Sequence, residues 1–127
     1  MLAQLLRLNG ASHITLAAPP GPKLDVAQQL GVADTYVELS RTEPEPQYER
    51  IKADHSHGFD IVIEATGSVK VLQEAIHFCR RGGTLVVYGF VHPLSPFFSL
   101  IRLRVLPSWY WGRVSCMAYV GWDPTDG

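Results

Sequence analysis

Residues Gly58–Gly89, GFDIVIEATGSVKVLQEAIHFCRRGGTLVVYG, hold two β-rich apolar runs with a helical run between them. Phe59-Asp60-Ile61-Val62-Ile63 has the near-continuous apolar character of a strand buried on both faces of a parallel sheet. Thr66-Gly67-Ser68 breaks that run, and Ser68 stands where a helix needs its N-cap. Val69, Leu72, Ile76 and Cys79 then recur at helical spacing, which predicts a helix with one apolar side. Arg80 and Arg81 suit the negative end of its dipole, and Gly82-Gly83 offer a left-handed stop. Thr84–Tyr88 predicts the returning strand. The unit is βαβ, with the right-handed crossover that twisted strands impose.

The same alternation extends toward the N-terminus. Leu2, Leu5 and Leu6 predict a short amphipathic helix that stops at Asn9-Gly10. His13–Ala17 predicts a strand, followed by the turn Pro19-Pro20-Gly21-Pro22. Pro22 suits the first turn of a helix carrying Leu24, Ala27 and Leu30 inward and ending at Gly31. Thr35–Leu39 predicts a strand, Glu43–Pro46 a polar loop, and Gln47–Asp54 a helix with Tyr48 and Ile51 inward. Residues 1–90 thus read α-β-α-β-α-β-α-β, the order of a doubly wound α/β sheet.

With 127 residues the chain can build one modest core. A net charge of −1 gives no footing for a nucleic-acid partner. Two cysteines, Cys79 and Cys116, do not make a disulfide framework, so the expected setting is a reducing cytoplasm. No apolar run approaches the roughly 20 residues that span a bilayer, and no membrane partner is expected. The opening MLAQLLRLNG has no positive residue ahead of its apolar part and is interrupted by Arg7 and Asn9. It reads as an internal helix rather than a leader.

After Phe90 the texture changes. Residues 91–127 contain no Lys and no Glu, and all three tryptophans (Trp109, Trp111, Trp122) fall here among scattered prolines. Ile101–Val105 alternates as a strand, with Arg102 and Arg104 on one face. The chain is therefore expected to divide into a domain over 1–90 and an irregular aromatic, proline-rich tail over 91–127.

Four motifs in order, LAQLLRLNGA, KLDVAQQLGVAD, GFDIVIEATGS and RRGGTLVVYGF, resemble the cofactor-binding domain of medium-chain, zinc-type alcohol and polyol dehydrogenases. The likeness is greatest to fungal sorbitol- and arabinitol-type enzymes and runs from Leu2 to Phe90. It implies a Rossmann-like sheet that binds NADP or NAD and belongs to an enzyme moving hydride between an alcohol or polyol and that cofactor. In the family a strand and a G-x-G-x-x-G turn precede the helix that here opens at Met1, and no such motif occurs in this chain. Because that strand is the central one, the implied fold is a partial sheet lacking its first strand. His13–Ala17 and Phe59–Ile63 would then expose two apolar edges prone to aggregation. A strand supplied in trans, or Ile101–Val105, could fill the slot.

The resemblance also implies a set of cofactor-binding positions. The place of the acid that bonds the adenosine ribose falls on Ala18, with Lys23 close by, which tilts the expectation toward NADP. Ala65, Thr66 and Gly67 follow a strand at the sheet's carboxyl end, and Gly89 and Phe90 match further cleft residues. No catalytic residue is assigned, since Glu64 is a lone acid at a strand end with no partner to tune it. The family carries zinc, yet its ligands are not matched here. His55-Ser56-His57 offers two imidazoles where three ligands must converge, and it reads as a solvated turn. His13, His77 and His92 receive no role.

Three functional readings stay open from the sequence. The first is a dehydrogenase fragment, inactive alone. The second is a degenerate nucleotide-binding module. The third is a non-functional, mis-predicted gene product, which the opening inside a helix and the break after Phe90 would suit. Oligomeric state is not indicated.

Overall fold

The computed structural model describes residues 1–88 and 115–120. Four helices, α1 (Leu2–Leu8), α2 (Pro22–Gln29), α3 (Glu45–Asp54) and α4 (Val69–Phe78), alternate with four strands. The strands are β1 (His13–Ala18), β2 (Thr35–Glu38), β3 (Phe59–Ala65) and β4 (Cys79–Val87). A fifth, β5 (Ser115–Val120), comes from the tail. The sheet order is β2-β1-β5-β3-β4, and every neighbouring pair is parallel.

The α/β class and the order of the first eight elements follow the reading of the chain. The open centre does not. Strand β5 lies in the slot between β1 and β3, pairing Ile14 and Ile61 with Cys116, and Leu16 and Ile63 with Ala118. The two apolar edges expected on β1 and β3 are therefore covered. The physical reason is the slot itself, since unpaired backbone groups between two apolar strands recruit any segment that can complete both ladders. The tail is thus not wholly irregular. The alternative filler, Ile101–Val105, lies outside the described residues.

The core has two halves, one on each face of the sheet. Ile14, Leu16 and Ala18 of β1 turn toward Ala3, Ala11 and Leu24 under α1 and α2. Ala17, Phe59 and Val62 turn the other way, against Tyr48 and Ile51 of α3 and Ala75 and Phe78 of α4. The alternation along β1 follows from the period of two in a strand. Phe59 and Phe78 are almost wholly buried, and each such side chain contributes about 1.5–3 kcal/mol by leaving water. Tyr48 meets Phe78 edge to face at 5.8 Å.

Several local expectations change. On α4 the buried side is Leu72, Ala75 and Phe78, while Ile76 is 44 % exposed. The helix ends at Phe78, because Cys79 already has extended backbone (φ −72°, ψ 133°) and opens β4. Gly82 (φ +75°) does not stop the helix. It sits where the β3–β4 register shifts between Phe59 and Ile61. Arg80 does not serve the helix end either, and its Nε donates to Asp60 Oδ1. Leu30 of the expected inward stripe lies beyond the end of α2 and is exposed, whereas Leu24 is buried. Leu5 of α1 is also half out, with Ala3 taking the core position.

Candidate functional site at the carboxyl edge of the sheet

A cavity of about 350 Å³ opens where β1, β2 and β3 end. In open α/β sheets this is the edge at which ligands bind, because the strand-to-helix turns there leave a crevice. Ala17 and Pro19 come from the end of β1, Leu39 and Arg41 from the end of β2, and Thr66 and Ser68 from the turn after β3. Tyr48 of α3 and Val71 of α4 complete an apolar floor, and Lys70 of α4 stands on the wall. Among the described residues, no Asp or Glu lines the cavity.

The turn after β3 is held by a carboxylate that the sequence reading set aside. Glu64 is fully buried. Its Oε1 accepts from Thr66 N at 2.6 Å, Thr66 Oγ1 at 2.5 Å and Gly67 N at 3.0 Å. Thr66 Oγ1 in turn accepts from Ser68 N at 3.0 Å. Thr66 Oγ1 thus satisfies the amide of the N-cap residue, and Ser68 itself makes no side-chain capping bond. Glu64 Oε2 is buried with no partner among the described residues. The Tyr88 amide donates to Glu64 O at 2.7 Å, which ties the same residue to the end of β4. A reader of the sequence could have seen the signal: an acid followed two residues later by Thr-Gly is the pattern of a side chain folding back on its own turn.

The expected cofactor positions fall in different places. Thr66 lines the cavity, with Ala65 before it at the end of β3 and Gly67 after it in the turn. Ala18 is buried in the core cluster with Leu24, on the α1–α2 side. Lys23 is exposed on α2 and is not among the cavity's lining residues. Gly89 and Phe90 lie outside the described residues. Arg41, Lys70 and Tyr48 are lining residues that motif matching does not reach, because they belong to a loop and to helices rather than to strand ends.

Tyr48 is buried, and burial foremost, with Glu74 and Glu45 behind it, raises its hydroxyl pKa above the ordinary value. It therefore stays a neutral hydrogen-bonding group across the physiological range. The apolar floor and the cations among the described lining residues fit the adenosine end of a dinucleotide, which presents a flat base beside phosphates.

At the opposite, amino edge, a cavity of about 260 Å³ is lined by His55, His57, His77, Cys79 and Arg80, among others. His55 is not simply solvated, since its ring stacks on Phe59 at 4.3 Å and lies 5.6 Å from His13. Its Nδ1 is buried without a partner among the described residues. Burial pushes the Cys79 thiol up to about 11, so it is not the thiolate that metals prefer. No group of three His, Cys, Asp or Glu among the described residues is placed to hold a metal ion. These residues do not fit a zinc site. His92 lies outside the described residues. No helix among the described residues is long and apolar enough to cross a membrane.

Comparison with known proteins adds to this geometry. The family described as zinc-binding dehydrogenase matches residues 1–112, past the Phe90 at which the motif likeness stops. Over 89 residues the chain is 49 % identical to D-arabinitol dehydrogenase 1 of Uromyces fabae, covering 70 % of this chain and 26 % of that protein. It is 29 % identical over 80 residues to the sorbitol dehydrogenase of Macaca fascicularis, covering 63 % of this chain and 22 % of that one. An L-threonine 3-dehydrogenase of Cutibacterium acnes is 32 % identical over 89 residues, with 70 % and 25 % covered. The chain spans about a quarter of the length of these curated relatives. An alcohol dehydrogenase from Thermotoga maritima superposes with a TM-score of 0.62 over 92 % of this chain and 31 % of that chain. At 24 % identity that likeness is one of fold.

Proposed function

The chain belongs to the zinc-binding dehydrogenase family, and on that footing we propose that it acts as the nucleotide-binding part of an alcohol or polyol dehydrogenase. It holds NADP or NAD at the carboxyl edge of its sheet and, alone, carries out no alcohol oxidation. The observation that carries this reading is the part-apolar cavity formed by the ends of β1, β2 and β3, with Arg41 and Lys70 among its described lining residues.

A bound nicotinamide cofactor supplies the hydride acceptor. The chain's own residues bind and orient it. Leu39, Tyr48 and Val71 would offer the base an apolar bed, and the turn that Glu64 clamps would present Ala65, Thr66 and Gly67 to the rest of the nucleotide. Gly89 and Phe90 are proposed as further cofactor-binding residues, as are Ala18 and Lys23 for the ribose, although Ala18 is buried on the α1–α2 side and Lys23 does not line the cavity. Polyols are the proposed substrate class of the full enzyme, on the likeness to the arabinitol and sorbitol dehydrogenases. The hydride chemistry needs zinc ligands that the described residues do not provide. The reducing cytoplasm is the proposed setting.

A second reading, a nucleotide-binding module that works by itself, is favoured by one observation. Strand β5 closes the centre of the sheet from within the same chain. Thermal unfolding of the purified 127-residue chain with millimolar NADP and NAD, run beside an NAD(P)-dependent alcohol oxidation assay, tests both. A cooperative melt that rises with cofactor and no turnover is expected, because a ligand stabilises only a state that it binds. Detectable turnover overturns inactivity, and a melt indifferent to both cofactors overturns the binding role.

A further inference from the structure

Three rings form a row at the amino edge of the sheet, where β1, β5 and β3 begin. His55, the residue after α3, stacks on Phe59 at 4.3 Å between ring centroids, and its ring lies 5.6 Å from that of His13. His13 opens β1 and Phe59 opens β3, and these strands are not neighbours, because β5 runs between them. His13 is in register with Ser115, the first residue of β5. The rings thus tie β1 to β3 at the end where the central strand enters the sheet. The two imidazoles meet different surroundings. His13 Nδ1 is 4.0 Å from Asp34 Oδ2, a carboxylate that also accepts from Arg7, and its Nε2 lies 3.3 Å from Thr15 Oγ1 and 3.4 Å from Thr35 Oγ1. His55 Nδ1 is buried without a partner among the described residues. His55 shares the amino-edge cavity with Lys52 of α3, His57, His77 of α4, and Cys79, Arg80 and Arg81 of β4. Of the acids on these elements, Glu49 and Glu74 pair with Lys52, Asp54 with Arg50 and Asp60 with Arg80.

We infer that the His13–His55 pair is an acid-sensitive clasp on the central strand, closed while His55 is neutral and released when both rings carry a proton. Imidazole is the side chain that ordinarily changes charge between about pH 8 and pH 5. A first proton on the pair is accommodated at His13, beside Asp34. A second, on His55, puts like charges on rings 5.6 Å apart and sets an N–H at a buried position with no acceptor among the described residues. Parting the rings relieves both. Release therefore takes up protons and is favoured as pH falls. With the clasp open, the start of β5 loses the bridge between its two neighbours, while β1–β2 and β3–β4 keep their own ladders.

Amide hydrogen exchange of the full chain, read residue by residue at about pH 7.5 and about pH 5.5 and corrected for intrinsic rates, tests the clasp. Protection of the Cys116 and Met117 amides is expected to fall on the order of tenfold, which lies between the water and protein-interior limits for like charges at that spacing. The Leu39 and Tyr88 amides, which donate to Ala18 O and Glu64 O at the other edge, should keep their protection. His55→Phe preserves a stacked ring without a titrating nitrogen, and His13→Gln preserves a polar partner for Thr15 and Thr35. In either variant the protection of β5 should lose its pH dependence, and where one variant does not fold the other decides. Unchanged protection of Cys116 and Met117 in the wild type overturns the inference. So does a loss of protection in every strand at once, or a pH-dependent step that survives in both variants.

Discussion

Glu64 and Thr66 form a closed local unit in which one carboxylate oxygen accepts both the amide (2.6 Å) and the hydroxyl (2.5 Å) of the residue two positions on. The acid is fully buried, so it exists to shape the turn and not to meet solvent. That turn carries Thr66 and Ser68 into the cavity wall. A structural choice inside the sheet thereby positions the candidate cofactor site.

Removing the clamp should cost both stability and binding. Glu64→Ala strands the Thr66 and Gly67 amides, and the expected loss is about 2–4 kcal/mol by urea denaturation. Glu64→Gln keeps an acceptor oxygen in place and should lose about half of that. Cofactor affinity is expected to fall in the same order, Ala further than Gln.

Ala118 tests the central strand. It pairs with Leu16 on one side and Ile63 on the other. Proline there removes an N–H from a strand flanked on both sides, at a cost of about 3 kcal/mol or more. Ala118→Pro should shift the chain to large species in size-exclusion chromatography. Proline at Glu38, which ends the edge strand β2, should cost far less.

Asp34 links α1, β1 and the start of β2. Its Oδ2 accepts from Arg7 at 2.5 Å and from the Ile14 amide at 2.7 Å. The Arg7 hydrogen bond first, and the Ile14 amide second, hold its pKa below the ordinary 3.8. A depressed acid stabilises the fold above its unfolded pKa, and that part is lost as pH falls from about 4 through the lower folded value. Asp34→Asn should lower stability at pH 7 by about 1 kcal/mol, the pair being partly exposed. Its stability should also decline less steeply below pH 4 than the wild type's, as followed by circular dichroism.

Gly58 is held by shape. It has φ +76°, and a Cβ there would lie 2.7 Å from Arg80 N and 2.9 Å from Phe78 O. Both contacts are backbone, so neither can swing aside. Gly58→Ala is expected to lose about 2–3 kcal/mol in chemical denaturation, whereas Gly31→Ala, with φ +58° but open space, should lose less.

Much of the fold was legible because its signals are local. Leu24, Tyr48, Ile51 and Leu72 turned inward as their spacing required. The phase of α4 was misjudged because Val69 and Ile76 are more apolar by type than Ala75, although packing against β3 and β4 favours the small residue. Strand β5 was missed for a different reason. Period-two alternation marks Ile101–Val105, whereas a strand with neighbours on both sides inside a parallel sheet reads as a continuous apolar run. Cys116-Met117-Ala118-Tyr119-Val120 is such a run. At the site, the Thr66 turn was readable from its place after a strand. Arg41 and Lys70 were not, since only the packing of a loop and a helix around the cavity brings them to one rim.

The position of β5 also decides when the protein can finish folding. Synthesis delivers β1 with β2, and then β3 with β4, as two parallel pairs lacking a common neighbour. Among the described residues Ser115–Val120 is the strand that joins both, so the two half-sheets meet through it once it has emerged. The joining contacts span most of the chain, from Ile14 to Cys116, and long-range pairing of this kind is slow. During that interval the nascent chain shows two adhesive edges at once. A chaperone that shields strands early in synthesis would therefore protect this protein more than one that acts on the completed chain.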